Sequence, residues 1–213
     1  MDTSKVTASP DAGHRIPAME TSSHDPARRI LADDGNERAL LECVAAGDRR
    51  SFERLYRDYW PRLVRFLDQV MRQPQIVDDV LNETMLAVWQ NAKGFKAQSK
   101  VSTWIFAIAY RKALKAAHSA RRAAPRDDPL HDPHAPDDPE RDAMRAQLQG
   151  QVRRALDVLS PEQRAVVELT YYHGCAYAEI AQIMECPVDT VKTRMFHARR
   201  KLRVAMESDD ADE

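Results

Sequence analysis

The sequence predicts an all-α protein with two small helical domains joined by a flexible Pro/Asp-rich linker, the C-terminal domain being a helix-turn-helix. Only six of the 213 residues are glycine, and Ala, Arg, Glu and Leu are abundant, which favours helix over sheet. Apolar residues recur every three to four positions in both halves. Between the halves, five prolines fall within residues 125–139, too dense for a continuous helix.

The same features divide the chain into five segments. Residues 1–36 are rich in Ser, Thr, Asp and Pro without apolar periodicity, which predicts a disordered tail. In order, the segments are the N-terminal tail 1–36, a helical domain 37–122, an acidic Pro-rich linker 123–142, a helix-turn-helix domain 143–206 and an acidic tail 207–213.

The first domain contains three stretches with helical periodicity. Residues 51–71 place one apolar stripe along a helix, from Phe52 to Val70. Residues 76–89 repeat the pattern, and residues 102–114 form a third, strongly apolar stretch. We therefore expect these three helices to share one core.

In the second domain, Leu148, Val152, Leu156 and Leu159 form another stripe. "SPEQ" then supplies a capping box for the next helix, which we expect to end at Gly174. A short helix around Ala181, the turn "ECP" and a long basic helix from Val188 to Met206 follow. This order is typical of a helix-turn-helix.

A helical wheel separates the long helix into two faces. The predicted core face contains Val188, Val191, Met195, Ala198 and Leu202. The opposite half contains Lys192, Thr193, Phe196, His197 and Arg200. These side chains combine phosphate-binding charges with groups that can reach base edges or a thymine methyl group. The alternative is a solvated basic face with Phe196 folded back into the core.

A second basic strip lies in the first domain, where no acidic residue occurs between Glu83 and Asp127. Its cations alternate with aromatic residues, a combination that suits single-stranded nucleic acid. Trp104 lies at the start of a predicted helix, where core packing and base stacking are equally consistent with its position. Just before the strip, Asp78, Asp79 and Glu83 form an acidic cluster that either complements the helix dipole or meets a basic partner.

Other classes of protein are poorly supported. No Ser–His–Asp arrangement, Gly-rich phosphate loop or H-E-x-x-H motif occurs, so we expect no enzymatic activity, no cofactor and no metal. "HDPH" at 131–134 lies in the predicted linker, without a rigid scaffold for a metal. Three unpaired cysteines and the lack of a long apolar run predict a cytoplasmic protein without its own membrane insertion.

Four stretches of the chain resemble a known family. They are "SFERLYRDYWPRLVRFL", "DDVLNETMLAVW", "KVSTWIFAIAYRKAL" and "LSPEQRAVVELTYYHGCAYAEIAQIMECPVDTVKTRMFHARRKL". In order and spacing they resemble a bacterial RNA polymerase sigma factor of the extracytoplasmic-function (ECF) type, in group 4 of the sigma-70 superfamily. The resemblance implies a region 2-like domain at 37–122 and a region 4-like domain at 143–206.

The resemblance also implies partners and contact residues. The expected partners are the clamp coiled coil of the largest subunit of core RNA polymerase, promoter DNA and an anti-sigma factor. The implied polymerase contacts are Asp78, Asp79, Leu81, Asn82 and Glu83. The implied −10 contacts are Lys93, Phe95, Lys96, Lys100, Trp104, Arg111, Lys112 and Lys115. The implied −35 contacts are Lys192, Thr193, Arg194, Phe196, His197 and Arg200, with Arg194 assigned to a phosphate or to a structural role.

A stand-alone helix-turn-helix regulator that binds duplex DNA as a dimer is the alternative. It would share the C-terminal domain and would carry a receiver or ligand-binding domain in front of it. The basic strip threaded with aromatic residues fits that alternative poorly.

Overall fold

The computed structural model describes residues 26–123 and 156–209. The residues within these ranges are helical or lie in turns, with no β-strand, so the all-α prediction is confirmed. Seven α-helices lie wholly within them: α1 Pro26–Ala45, α2 Arg49–Met71, α3 Val77–Asn91, α4 Val101–Ala123, α5 Pro161–Tyr171, α6 Tyr177–Ile183 and α7 Val188–Asp209.

Helix α2 is the central element of the first half. Its N-terminus is capped by Asp48, whose carboxylate accepts hydrogen bonds from the backbone N–H groups of Arg50 (3.1 Å) and Ser51 (3.2 Å). Most of the predicted stripe is confirmed as buried, and only Phe52 and Tyr56 are partly buried. The buried members are Leu55, Tyr59, Leu63, Phe66, Leu67 and Val70. Helices α1, α3 and α4 all pack against α2.

Helix α1 corrects the predicted N-terminal tail. The helix begins at Pro26, so residues 26–36 are helical, and residues 1–25 lie outside the described part of the chain. Leu41 and Val44, three positions apart, are buried against the first-half core. Glu37 also accepts a hydrogen bond from Arg62 of α2 at 3.1 Å. These contacts in its C-terminal part hold α1 against the first half. The earlier residues of α1 are too polar to show helical periodicity.

The other predicted helices of the first half are confirmed with small shifts. A 3₁₀ turn over Pro74–Ile76 precedes α3, and a second over Ala92–Gly94 follows it. Helix α4 extends to Ala123, which was assigned to the linker. The rest of that linker and the predicted stripe residues Leu148 and Val152 lie outside the described residues.

The capping box of the second half is confirmed. Ser160 Oγ accepts a hydrogen bond from the Gln163 backbone N–H (3.3 Å), and Gln163 Oε1 accepts one from the Ser160 N–H (3.1 Å). Helix α5 ends at Tyr171, before Gly174, which reverses the chain with a left-handed φ of 63°. Helix α7 continues to Asp209, so the first residues of the predicted acidic tail are helical.

The two halves pack directly on each other. Helix α5 lies against α2, α6 lies against α4, and one continuous set of buried apolar residues includes both halves. The Arg164 side chain is buried and donates hydrogen bonds to the carbonyl oxygens of Leu159 (2.7 Å) and, across the boundary, Val70 (3.1 Å). Arg65 pairs with Glu168 at 2.6 Å, and Arg72 pairs with Asp157 at 2.8 Å.

The capping box yields a test of local stability. Ser160→Ala removes one hydrogen bond that satisfies an α5 N–H group, and we expect it to reduce the free energy of unfolding by about 1 kcal/mol. Ser160→Asp keeps an oxygen acceptor at the cap and should remain close to wild type. Urea denaturation monitored by circular dichroism checks both variants; equal destabilisation by Ala and Asp would contradict the role of the cap.

Candidate nucleic-acid interfaces

The long helix α7 is fixed by one buried face. Val191, Met195 and Ala198 are buried against the other second-half helices, as predicted. Leu202 is half-buried, and Val188 is 36% exposed, so the predicted core face is confirmed only over its middle turns. Val188 begins the helix beside the exposed turn and has no turn of helix before it to cover it. The buried face directs the opposite side of α7 to solvent.

That opposite side brings together the residues that the wheel assigned to it. Lys192, Thr193, His197 and Arg200 are exposed. Phe196 is 64% exposed, and its ring centroid lies 5.5 Å from that of His197. The alternative in which Phe196 folds back into the core is therefore wrong. The face presents cations, an imidazole and a bare aromatic ring within about two turns of helix.

Two polar groups on this face are already engaged within the helix. Lys192 Nζ lies 3.0 Å from the Asp189 carboxylate, and Thr193 Oγ1 donates a hydrogen bond to the Asp189 carbonyl oxygen at 2.9 Å. The Thr193 hydroxyl therefore has its acceptor lone pairs available for a base-edge donor. Lys192 can exchange an exposed partner for a phosphate at little cost.

Arg194 does not share this face. Its side chain is half-buried, and Nη1 lies 3.5 Å from Cys186 Sγ, on the side of α7 that faces Tyr110 of α4. Arg199 is exposed and donates from Nε to the Tyr171 hydroxyl at 3.0 Å. Arg194 thus sits at the boundary between the halves, a position that helix periodicity cannot reveal because it depends on the other half.

The basic strip of the first half begins with an aromatic pair. The rings of Phe95 and Trp104 lie 5.3 Å apart, and both residues are half-buried at the start of α4. Lys93 and Lys96 are exposed beside them. The Trp104 ring therefore packs on Phe95, while part of its surface remains exposed to solvent.

Along α4 the remaining strip cations carry acidic partners. Lys112 Nζ lies 2.9 Å from Glu83, and this contact lowers the pKa of the Glu83 carboxyl. Lys115 adds a weaker attraction to the same carboxylate. Lys100 and Arg111 instead pair with acidic residues of the second half, Glu179 and Glu185 respectively. Sequence spacing could not reveal these last two pairs.

The acidic cluster on α3 is exposed at Asp78, Asp79, Asn82 and Glu83. Leu81, which was assigned to the same surface, has 0% exposure because it points from α3 into the core. The exposed apolar group is instead Leu86, at 54%, one turn beyond Asn82. A helical wheel centred on the acidic residues would have found Leu86, since it lies seven and four positions after Asp79 and Asn82.

His173 is a buried titratable group at the boundary between the halves. Its ring lies 4.5 Å from Phe106 and 6.2 Å from Phe66, both in the first half. Burial, aided by the nearby charges of Arg62 and Arg65, lowers the pKa of His173 to about 4. Its Nε2 has no hydrogen-bond partner among the described residues. The neutral imidazole therefore packs here as an uncharged aromatic ring between the two halves.

The described parts of the chain disfavour thiolate chemistry at Cys175 and contain no cluster of metal ligands. Burial raises the pKa of the Cys175 thiol to about 11, which disfavours the reactive thiolate. No group of three or more potential metal ligands occurs within residues 26–123 and 156–209, and "HDPH" lies outside them. None of the helices described is both long and apolar enough to cross a membrane.

Both halves match known protein families. Residues 55–123 match the family model "Sigma-70 region 2", and residues 149–202 match "Sigma-70, region 4". The chain is 30% identical over 174 residues to the ECF RNA polymerase sigma factor SigK of Mycolicibacterium vanbaalenii, covering 78% of this chain and 86% of SigK. It is 27% identical over 181 residues to the RNA polymerase sigma-H factor of Pseudomonas aeruginosa, covering 80% and 94% respectively.

Solved structures share the fold. CnrH, in complex with the cytosolic domain of CnrY, has a TM-score of 0.62 at 24% identity, covering 82% of this chain and 99% of CnrH. The Bartonella quintana sigma factor RpoE, in complex with the anti-sigma factor NepR, has a TM-score of 0.60 at 21% identity, covering 74% and 98%.

The two halves therefore define an RNA polymerase sigma factor built from regions 2 and 4. More specifically, the chain belongs to the ECF family of sigma-70 factors.

The low pKa of His173 predicts acid sensitivity. Below about pH 6.5 the His173 imidazole is protonated in the unfolded chain, whereas in the folded chain it stays neutral down to about pH 4. The free energy of unfolding therefore falls as the pH is lowered from about 6.5 to about 4. We expect the loss to be of the order of 2 kcal/mol.

His173→Leu should remove this component of the pH dependence, measured by urea denaturation between pH 4 and pH 7. Replacing the exposed His197 by Leu is the control and should leave the component in place. If wild type and His173→Leu lose stability in parallel over this window, the assignment to His173 is refuted.

Proposed function

We propose that this sigma factor binds core RNA polymerase and directs promoter-specific initiation, with the α7 face reading a −35 element and the α4 strip capturing a melted −10 element. The observation that carries the proposal is the exposed α7 face, where Lys192, Thr193, Phe196, His197 and Arg200 stand together on a helix fixed by its opposite side.

The α7 face suits major-groove recognition because it offers each kind of contact that a base pair requires. Lys192 and Arg200 supply phosphate or guanine contacts, and Phe196 supplies an apolar surface for a thymine methyl group. His197 and the Thr193 hydroxyl can meet base-edge donors or acceptors. Phosphate contacts would make the affinity strongly dependent on salt.

The α4 strip suits single-stranded DNA. The Phe95–Trp104 pair offers an aromatic surface on which a base can stack, and Lys93 and Lys96 lie exposed beside it. Lys100, immediately before α4, and three cations within α4 extend the positive charge for about 22 Å, at 1.5 Å per residue. The three within the helix are Arg111, Lys112 and Lys115. Flipping a base out of the duplex costs a few kcal/mol, which such contacts would offset.

The α3 surface is the proposed contact with the polymerase clamp coiled coil. Asp78, Asp79, Asn82 and Glu83 supply polar groups, and Leu86 supplies the exposed apolar group that Leu81 cannot provide. An apolar centre within a polar rim is the usual composition of a protein–protein interface. We further propose an anti-sigma factor as a partner, supported by the anti-sigma complex of the structurally similar RpoE.

The stand-alone regulator explains less of the chain. It accounts for the helix-turn-helix but not for a first half that matches sigma-70 region 2 over residues 55–123. A ligand-binding or receiver domain would also be expected there, in place of α1–α4.

Promoter reading can be tested by run-off transcription on fragments of the source genome, with core polymerase free of other sigma factors. Lys192→Ala combined with His197→Ala should reduce discrete transcripts at least about tenfold, since each base contact contributes about 1–3 kcal/mol. The control is Arg57→Ala, which removes an exposed charge from α2. Dimeric binding of duplex DNA without transcripts would favour the regulator.

The polymerase contact can be tested at Leu86. Leu86→Arg places a charge on the proposed apolar anchor and should weaken binding to core polymerase about tenfold or more, measured by fluorescence anisotropy. Met206→Arg is the matched control because Met206 is similarly exposed on the second half. Unchanged affinity of Leu86→Arg would place the polymerase contact elsewhere.

A further inference from the structure

A carboxylate stands in the middle of the cationic α7 face. Asp189 is the only acidic residue in positions 186–206 of the sequence. At 100° per residue it lies between Lys192 and Thr193 around the helix, about 20° from Phe196. Its side chain is 90% exposed. The proposed −35 surface therefore contains a negative charge at its centre, which attraction to phosphates does not explain.

The contacts of Asp189 within the protein leave it available to a ligand. Lys192 Nζ lies 3.0 Å from Asp189 Oδ1, and 60% of the lysine side chain is exposed. Such an exposed pair contributes little to stability and exchanges partners at small cost. The carboxylate also complements the helix dipole in the first turn of α7, but that effect does not occupy its oxygens. Because Lys192 contacts Oδ1, Oδ2 is left able to accept a hydrogen bond.

The chemistry of the base edges determines which base a carboxylate can meet. An ionised Asp side chain accepts hydrogen bonds and donates none. In the major groove, only cytosine and adenine present a hydrogen-bond donor, their exocyclic amino group. Adenine also presents N7, an acceptor that repels a carboxylate, whereas cytosine presents its N4 amino group alone. Of the four bases, cytosine is therefore the one that suits Asp189 best.

The position of Asp189 along α7 also suits a base contact. It is the second residue of the helix, and a recognition helix contacts base edges with its N-terminal residues. Thr193 and Phe196, exposed on the same face, follow it by about 6 Å and about 10 Å at 1.5 Å per residue. Stacked bases are about 3.4 Å apart, so the three side chains can meet different base pairs.

We infer that Asp189 is a specificity-determining residue, which selects a cytosine within the −35 element by accepting a hydrogen bond from its N4 amino group. This inference rests on the proposed promoter function of the α7 face. A base without an amino donor would leave the negative charge unpaired in the groove, so Asp189 also weakens binding to wrong sequences. Lys192, held beside it, offsets part of this charge and can itself donate to a guanine.

The base preferences of the holoenzyme test this inference. A promoter found by run-off transcription is randomised over its −35 element, each template carries a barcode in its transcribed region, and the transcripts are sequenced. With the wild-type protein we expect cytosine to be favoured about tenfold at one position. Asp189→Asn should move the preference at that position to adenine, because Asn pairs with adenine N6 and N7. Asp189→Ala should remove it there and leave the other positions unchanged.

Two further variants separate base reading from other roles. Asp58→Asn is the matched control, since Asp58 is an exposed carboxylate that pairs with Arg54 within α2, and its base profile should equal that of wild type. Lys192→Ala should keep the cytosine preference. If Lys192→Ala removes that preference and Asp189→Asn does not move it to adenine, Asp189 acts only by holding Lys192, and the inference is overturned.

The remaining outcomes distinguish this inference from the proposed function. Transcription by Asp189→Asn and Asp189→Ala with the wild-type base profile would overturn the role of Asp189 and leave the promoter function standing. An equal loss of preference at every −35 position would also overturn it, because that pattern indicates a structural role in the helix. Failure of the wild-type protein to direct any transcript would reject the promoter function itself, and with it the role of Asp189.

Discussion

The apolar contact between α2 and α4 of one half and α5 and α6 of the other is the constraint on which the remaining arrangement depends. Phe66 and Phe106 are fully buried in the first half, yet both touch His173 of the second. A charge on that ring would stand among aromatic side chains beside two arginines, so only the neutral imidazole suits the site. The two halves thus complete each other's core while keeping separate helical frameworks.

Polar groups at this boundary determine how the halves meet. The Arg164 guanidinium can reach the Val70 carbonyl only where α5 lies against the end of α2. Burial raises the pKa of the Glu168 carboxyl, and the Arg65 guanidinium opposes that effect by pairing with it. Such groups would lose partners if the halves slid past each other, so they favour one register over many.

The ion pairs of the folded chain show how acidic and basic side chains are combined in a protein whose net charge is only −1. In the described residues, several acidic side chains lie against cations of the basic strip. Glu83 lies against Lys112 within the first half, and Glu179 and Glu185 lie against Lys100 and Arg111 from the second. The cations of the basic strip are thereby held in exposed or half-exposed pairs, which exchange partners at small cost.

The sequence by itself determined the local features: the all-α class, the helix-turn-helix, the Ser160 capping box and the exposure of Phe196. Each depends on periodicity or on groups three to four positions apart, which the chain order contains directly. Burial of Leu81, the position of Arg194 and the partners of Lys100 and Arg111 were decided only by tertiary structure. These depend on which helix covers which face, and the Arg111–Glu185 pair joins residues 74 positions apart, beyond the reach of any helical repeat. Helix α1 shows the same limit, because Leu41 and Val44 are anchored by packing against other helices rather than by a pattern of their own.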